Sequence, residues 1–298
     1  MNEKNERISI LYEDEYLCVI DKPAGMLTCP YPGSRSKTVQ NVLEQIMRKK
    51  GTLNSNHKPL VVHRLDRETS GVMMFAFTEA AQKKIMDSWH TMVTERLYHA
   101  IAENPRNARE SLPDSGLIDD DLAFNAYNIA YVPKKATGAE IALGKTDNKN
   151  VKTVPARTHF RIVERGKTHS LFELSLDTGK KNQIRAHLAS KNYPLAGDEN
   201  YRAQTDPFRR VCLHARTLEF VHPYTGKKMM FQVPEPESWL EYVKKGDTHP
   251  DAPAWRQEKS RSSKRTRESK NVILGPKRIT RKDKAHSNFI EIGKRGKR

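Results

Sequence analysis

The sequence predicts an α+β protein whose sheet is mixed and largely antiparallel, with helices flanking it. Apolar residues make up 36% of the 298 residues, which is enough to build a substantial core. Several runs rich in β-branched and aromatic residues are separated by short turn signals, a pattern typical of hairpins. Helical periodicity occurs only in isolated stretches, without the regular alternation of strand and helix that a parallel α/β fold requires.

The predicted strands are runs of β-branched and aromatic residues bounded by turn residues. In chain order they are residues 8–12, 16–21, 72–77, 96–102, 156–164, 169–176, 211–221 and 228–233. A short acidic turn separates the first two, and turn signals at 165–167 and 223–226 join the last four into two hairpins. Residues 72–77 are apolar throughout, which indicates a buried strand.

Helical spacing of apolar residues predicts four helices, at 38–49, 78–89, 182–190 and 237–244. In the second, Thr78 is a capping residue, and Ala81, Ile85 and Trp89 recur four apart on one face. Between 104 and 155 the chain is rich in Asn, Asp, Pro, Gly and Lys, with weak strand signals near 126–132. We expect an insertion or a long irregular excursion there.

Charge is distributed unevenly along the chain. The formal net charge of +17 points to a polyanionic partner. From Lys244 onward, 18 Lys or Arg residues outnumber six Asp or Glu residues, so this segment alone carries +12. Few large apolar residues are present there to offset the entropy of ordering. We therefore expect one catalytic domain over 1–245 and a basic, disordered tail over 246–298.

Several classes of protein are disfavoured by the sequence. The three cysteines form no C-x-x-C pair, which argues against a disulfide framework and against a cysteine-based zinc site. The 11 histidines show no metal-ligand spacing, so no metal is expected. No apolar run approaches the roughly 18 residues of a membrane span, and no signal-peptide core follows the charged N-terminus. We expect a cytoplasmic monomer with no membrane partner.

The strongest chemical signal is the stretch His-Arg-Leu-Asp-Arg-Glu-Thr-Ser-Gly at 63–71, which places Asp66 on a glycine-closed turn. Arg64 and Asp66 would share one face of an extended run. With Arg64 and Arg67 beside it, this carboxylate should stay ionised, as a nucleophile or an ion-pairing group must. On local grounds alone two interpretations stay open: a catalytic carboxylate, or one that caps the turn or balances charge at a strand end.

The stretch 63–71 resembles the H-R-L-D-x-x-T-S-G motif of the RluA-type pseudouridine synthases at every fixed position. Further motifs follow in that family's order. Residues 21–26 resemble its K-P-A-G turn, residues 96–100 its tyrosine strand, and residues 176–188 its T-G-[RK]-x-x-Q-I-R-x-H segment. The resemblance spans about residues 8–243, with a gap over the excursion. It implies the pseudouridine synthase fold with a central catalytic cleft, and isomerisation of uridine to pseudouridine in RNA after base flipping.

The resemblance also implies a role for individual residues. Asp66 corresponds to the nucleophile that attacks the target uridine, at the base or at the sugar. Tyr98 corresponds to the tyrosine that packs on the flipped uracil and takes the proton from carbon 5. Arg185 corresponds to the arginine that pairs with the catalytic carboxylate, and Arg64 to the one that fills the space left by the flipped nucleotide. RNA contacts are assigned to the cations of the two motifs, Arg64, Arg67, Lys180 and Lys181.

Three departures from the family's pattern bear on substrate binding more than on chemistry. Arg96 and Leu97 stand where Lys-Thr is common, and Lys180 stands where arginine is usual. Tyr201 is followed by Arg202 in place of the glycine often found there.

The resemblance leaves the substrate open. Ribosomal RNA is favoured and tRNA is the alternative. The rival from another class is a non-catalytic RNA-binding protein, which would not need Asp66, Tyr98 and Arg185 together. No cofactor is expected, because moving uracil from nitrogen to carbon attachment requires neither redox chemistry nor an energy source. The tail is expected either to recruit RNA or to be only a solvated polybasic run with affinity for ribosomes.

Overall fold

The strands and helices below come from a computed structural model, which describes residues 8–33, 36–133 and 151–246. The strands are β1 (Ser9–Glu13), β2 (Leu17–Lys22), β3 (Leu60–Val61), β4 (Ser70–Ala76), β5 (Val93–Glu103), β6 (Ser115–Ile118), β7 (Ala123–Phe124), β8 (Ala130–Tyr131), β9 (Thr158–Arg165), β10 (His169–Leu176), β11 (Leu213–Val221) and β12 (Lys228–Gln232). The helices are α1 (Val39–Lys50), α2 (Glu79–Met92), α3 (Gln183–Ser190) and α4 (Glu237–Lys245). The predicted tail, apart from Gly246, lies outside the described residues.

One large sheet organises the described chain. Its strand order is β1-β2-β4-β11-β5-β10-β9-β6, with β12 paired to β11 and β3 paired to β4. The pairing of β4 with β11 is parallel, and the other pairings are antiparallel. The predicted α+β class with a mixed, largely antiparallel sheet is thereby confirmed. Strands β7 and β8 form a separate small hairpin.

The helices cover both faces of the sheet. Met73 and Phe75 pack with α1, whereas Val72 and Met74 pack with α2, because neighbouring side chains of a strand point to opposite faces. In the other half, α3 and α4 are likewise divided between two apolar clusters. Tyr98 contacts the cluster of α1 and the cluster of α3, so these two helices lie on the same face. Strand β4 is buried along its whole length, as its apolar run predicts.

Gly71 sets the distance between β4 and β11. Its φ is +109°, and a side chain there would collide with the carbonyl oxygen of Ala215. Only glycine permits so close an approach of the two backbones. The residues just before Gly71 are therefore held at the level of β11 and of its neighbour β5, which is where the candidate site lies.

Two regions differ from the sequence-based expectation. Ser70 and Gly71, predicted as part of a turn, open strand β4, because their backbones pair with β11. The described parts of the excursion, 104–133 and 151–155, are more regular than their composition suggests, and residues 134–150 lie outside the described residues. Strand β6 adds an edge to the main sheet beside β9, and the β7–β8 hairpin is tied to Tyr201, whose hydroxyl donates to the carbonyl of Ala130 at 2.7 Å. Both elements are too short to produce a detectable period.

Candidate active site

Asp66 lies on the irregular loop between β3 and β4, and this loop is held from one side by the turn after β2. The buried ammonium of Lys22 donates to the carbonyls of Pro23, Arg67 and Thr69 at 2.9, 3.0 and 2.7 Å. The hydroxyl of Thr28 donates to the carbonyl of Leu65 at 2.9 Å. A buried lysine is stable only when its donors are satisfied, so the three carbonyls fix the loop to the end of β2.

A second cation holds the same loop from the side of β11. Nη2 of Arg210 lies 3.2 Å from the carbonyl oxygen of Glu68 and 2.9 Å from Oγ of Ser70. It also donates to the carbonyl of Leu213 at 2.9 Å. Lys22 and Arg210 thus bind the backbone that directly follows Asp66, at residues 67–69, although neither touches its carboxylate.

The carboxylate of Asp66 is half-buried and is oriented through one of its oxygens. Nδ2 of Asn182 donates to Oδ2 at 2.6 Å, and Nη1 of Arg185 donates to the same atom at 3.3 Å. No residue within the described ranges donates to Oδ1. The carboxylate is therefore oriented by two donors that share one of its oxygens.

Arg185 is itself held by Asp198. Its Nε and Nη2 donate to the two oxygens of Asp198 at 2.6 and 2.7 Å, a bidentate arrangement that fixes the guanidinium plane. The side chain of Asp198 is only 1% exposed. The ring of Tyr201 lies 5.2 Å from the guanidinium carbon of Arg185. Burial alone would lower the pKa of Arg185, but the hydrogen bonds and the charge of Asp198 raise it, so Arg185 stays positively charged.

Tyr98 is half-buried on an interior strand of the sheet. It stands on β5 between Leu174 of β10 and Ala215 of β11, and it packs against the apolar clusters of both α1 and α3. Burial raises the pKa of the Tyr98 phenol, and the negative charge of Asp66 adds to this rise, whereas Arg96 opposes it. Tyr98 is therefore a neutral phenol within electrostatic range of Asp66. The structure brings together the three residues predicted to be catalytic.

The four predicted RNA contacts are all exposed. Arg64 and Arg67 belong to the loop of Asp66, and Lys180 and Lys181 belong to the turn that precedes α3. Because Asn182 follows that turn directly and contacts Asp66, both pairs of cations border the same carboxylate. Their positions suit a polyanion that approaches the cleft.

His63, the first residue of the predicted motif, has a structural role. Its Nε2 accepts a hydrogen bond from the backbone N–H of Met74 at 2.9 Å, and its ring lies 4.8 Å from that of Trp89. Burial lowers the pKa of His63 to about 3, and the positive charge of Arg96 adds to the effect. A neutral imidazole fixed in this way connects the Asp66 loop to β4 and is unsuited to acid–base chemistry near neutral pH.

Comparison with known proteins identifies the family. Residues 16–190 match the family model described as RNA pseudouridylate synthase. The chain belongs to that family. It is 32% identical over 242 residues to the ribosomal large subunit pseudouridine synthase D of Neisseria meningitidis. That match covers 77% of this chain and 59% of the Neisseria protein, so the chain spans less than two thirds of this relative's length.

A second relative agrees with this membership, and a solved structure agrees with the fold. A Bacillus subtilis protein described as an uncharacterized RNA pseudouridine synthase is 32% identical over 237 residues, which cover 79% of this chain and 72% of that protein. The solved structure of human RNA pseudouridylate synthase domain containing 4 superposes with a TM-score of 0.58 at 20% identity, covering 78% of this chain and 90% of that chain. The human structure supports the fold, and the RluA-type family resemblance seen in the sequence is confirmed.

Three residues around the predicted catalytic set were not predicted from the sequence. Asn182 occupies a variable position of its motif, so nothing marked it as a donor to Asp66. Asp198 ends the run Pro-Leu-Ala-Gly-Asp at 194–198, for which no role could be inferred. Tyr201 lies in an irregular segment without periodicity. Within the described ranges, no group of His, Cys, Asp and Glu side chains could hold a metal ion, and no helix there is long and apolar enough to cross a bilayer.

Lys22→Met is expected to lower the free energy of unfolding by about 3 kcal/mol, because three carbonyls lose a buried donor. Urea unfolding measures the change. Lys58→Met is the control, since Lys58 is partly exposed and lies 3.6 Å from the exposed carboxylate of Glu79. A Lys22 variant as stable as wild type would contradict this account of the loop.

The same lysine should give the wild type a pH-dependent stability. Burial lowers the pKa of Lys22 from its ordinary value of 10.5 to about 7. Between these values the unfolded chain binds more protons than the folded chain, so stability rises as the pH rises through this window. The difference in stability between wild type and Lys22→Met should therefore grow from pH 7 towards pH 10. If the difference in stability is the same at every pH, burial does not lower the pKa of Lys22.

Proposed function

We propose that this protein is an RNA pseudouridine synthase that isomerises specific uridines in structured RNA, with Asp66 as the nucleophile and with flipping of the target base. The observation that carries the proposal is the environment of Asp66. Two donors orient Oδ2, Oδ1 is left for reaction, and the charge of Asp66 acts on the phenol of Tyr98 by helping to raise its pKa. A protein that only bound RNA would not need a carboxylate oriented in this way.

The reaction rearranges bonds without changing composition. Oδ1 of Asp66 attacks the uridine, at the sugar or at the base, and the bond between C1′ and N1 breaks with its electron pair passing to the uracil. The detached uracil turns, its carbon 5 bonds to C1′, and the bond to Asp66 is broken so that the carboxylate is released. The proton on carbon 5 is removed and N1 gains one, which makes the product an isomer of the substrate. Arg185 balances the charge of Asp66 in this half-buried site, and it is kept in place by Asp198.

Tyr98 is better suited to packing than to proton transfer. With its raised pKa the phenol keeps its own proton near neutral pH, so it is a poor acceptor for the proton on carbon 5. Its ring provides a flat apolar surface for the flipped uracil. We assign the proton to the carboxylate of Asp66, which is free again once the carbon–carbon bond has formed. Arg64, which is exposed beside Asp66, fills the vacated position in the RNA.

Ribosomal RNA is the favoured substrate, because relatives that cover most of this chain are named as synthases of the large ribosomal subunit. The same chemistry on tRNA is the alternative. We place the enzyme in the cytoplasm, as a monomer that needs no cofactor, with Arg67, Lys180 and Lys181 in contact with RNA. Recruitment of RNA by the basic tail stays a prediction.

The test is release of tritium from RNA labelled at carbon 5 of uridine. Unmodified large-subunit ribosomal RNA and a pool of unmodified tRNA are treated separately with the full-length chain. Release from the ribosomal RNA supports the proposal, and release from the tRNA alone selects the alternative substrate. Binding of both RNAs without release of tritium would favour the non-catalytic rival. Mapping of pseudouridine in cells with and without the protein then identifies the site.

Asn182→Gly is expected to lower the rate of pseudouridine formation by roughly 10- to 100-fold, the effect of losing one hydrogen bond to a charged group. Glycine suits this position, because Asn182 has a φ of 55° in the left-handed region. Stability should therefore be retained while the orientation of Asp66 is lost. Asn192→Gly is the matched control, since Asn192 also has a positive φ, 64°, but donates to Glu110. Equal activity in both variants would exclude a role for Asn182.

A further inference from the structure

Two arginines have backbone conformations that arginine rarely adopts. Among the described residues other than glycine, five have a positive φ: Asn128, Asn182, Asn192, Arg202 and Arg209. Asparagine tolerates the left-handed region because its short polar side chain can bond locally to the backbone. Arginine has no such compensation, so Arg202 at 64° and Arg209 at 54° are held in a conformation that glycine would adopt at lower cost.

Both arginines lie in one segment, residues 198–210, which contacts the catalytic set near its start and the Asp66 loop at its end. The segment begins with Asp198, which binds Arg185, and it continues to Tyr201, whose ring lies over the same guanidinium. It ends with Arg210, which binds the loop of Asp66 through the carbonyl of Glu68. Arg202 and Arg209 therefore each adjoin in sequence a residue that contacts the catalytic set or its loop.

The side chains of these two arginines point outward. Both residues are exposed, in contrast to the largely buried guanidinium of Arg185 and the half-buried Arg210. No described residue accepts a hydrogen bond or an ion pair from either guanidinium. The left-handed backbone thus carries two guanidinium groups that have no hydrogen-bonded or ion-paired acceptor among the described residues, although the charge of Arg209 opposes the burial that raises the pKa of Asp206. Arg202 adopts this conformation where the short helix Glu199–Tyr201 ends. Non-glycine residues in the left-handed region cluster at active sites and ligand clamps, which makes an exposed cation there a candidate for binding a ligand.

We propose that Arg202 and Arg209 bind backbone phosphates of the RNA on either side of the nucleotide that enters the Asp66 site. The inference rests on the proposed function. It adds two cations to the RNA contacts already assigned to Arg64, Arg67, Lys180 and Lys181. A guanidinium is suited to this task because its paired N–H donors match two phosphate oxygens. Most contacts between proteins and nucleic acids are made to phosphates and sugars, and these position the strand whose base is flipped.

Glycine and alanine substitutions separate the two properties of Arg202. Arg202→Gly and Arg202→Ala both remove the cation, but only glycine also relieves the left-handed backbone. Both variants should show the same several-fold decrease in affinity for a short single-stranded oligouridylate at about 50 mM salt. Between about 50 and 200 mM salt, the slope of log affinity against log salt should become shallower by about 0.7, because one phosphate is no longer neutralised. Arg202→Gly should nevertheless have a higher Tm than Arg202→Ala.

The same pair of substitutions at Arg209 should give the same result, and the double glycine variant should reduce the slope by about twice as much. Lys227→Ala is the control for general charge, because Lys227 is exposed in the turn between β11 and β12, at the opposite end of β11 from Ala215. It should leave affinity and slope almost unchanged. Inorganic phosphate is added as a competitor to distinguish a site for free phosphate from a site for RNA. If low millimolar phosphate displaces most of the bound oligouridylate, the site prefers free phosphate and the proposal that it binds RNA is contradicted.

The proposal is overturned if Arg202→Gly has the wild-type affinity for the oligouridylate and the wild-type salt slope. It is also overturned if Lys227→Ala lowers the affinity as much as Arg202→Gly does. Because binding of the oligouridylate involves no turnover, either result leaves the proposed function intact. Conversely, failure of the wild type to release tritium would refute the proposed function while leaving the phosphate contacts measurable.

Discussion

Asp66→Asn is expected to slow pseudouridine formation by at least about 10⁴-fold while leaving the fold intact. Asparagine has the shape of aspartate, and its carbonyl oxygen can still accept from Asn182 and Arg185 in place of Oδ2. The atom that reacts changes in kind: Oδ1 becomes an amide nitrogen, which cannot attack the uridine. Single-turnover tritium release at saturating protein measures the decrease in rate, and thermal unfolding measures the fold.

The control for this change is Asp177→Asn, which makes the same substitution at an exposed carboxylate. Asp177 lies before the turn that leads to α3 and interacts with His159 at 3.1 Å, without contacting Asp66. It should retain nearly full activity. If Asp66→Asn turns over near the wild-type rate, Asp66 is not the nucleophile and the proposed mechanism is wrong.

The position of Asp66 was predictable because ordered elements surround it. The apolar run after it forms β4, and Gly71 requires close packing on β11, so the motif has a defined place in the sheet. Tyr98 was predictable for a similar reason, since it belongs to a patterned strand that pairs on both sides. Asp66 and Tyr98 lie in the same part of the molecule because the pairing register of the strands fixes where each residue lies in the sheet.

The rest of the site could not be predicted from the sequence because it depends on irregular backbone. Asn182 reaches Asp66 only through its left-handed conformation before α3, and no pattern of apolar residues encodes that angle. Asp198 meets Arg185 from a segment without a period. The sequence predicted a pair of Asp66 and Arg185, whereas the structure has a chain of three charges in which Asp198 is the bidentate partner. Long-range polar pairing of this kind becomes visible only in three dimensions.

Three largely buried basic side chains position the site through different contacts. Lys22 and Arg210 bind backbone carbonyls of the loop and so position Asp66 indirectly. Arg185 contacts the carboxylate itself. Removal of either of the first two should therefore affect stability and activity together, because the loop moves, whereas removal of Arg185 should affect the chemistry through charge.

Arg185→Ala is expected to lower the free energy of unfolding by about 3–5 kcal/mol, because Asp198 is left as a buried charge without a partner. Activity should fall by at least about 100-fold, since the guanidinium that balances Asp66 is also removed. The single variant cannot separate the two effects, because an unstable protein is also inactive.

The double variant Arg185→Met with Asp198→Val separates them. Replacing a buried ion pair with apolar side chains is often neutral for stability. The free energy of unfolding of the double variant should therefore lie within about 2 kcal/mol of the wild-type value. Activity should stay at the low level of the single variant, because neither new side chain can balance the charge of Asp66. Single-turnover tritium release, with affinity for RNA measured separately, tests this directly. A stable double variant with wild-type turnover would exclude Arg185 from the chemistry and leave its contact with Asp66 a structural one.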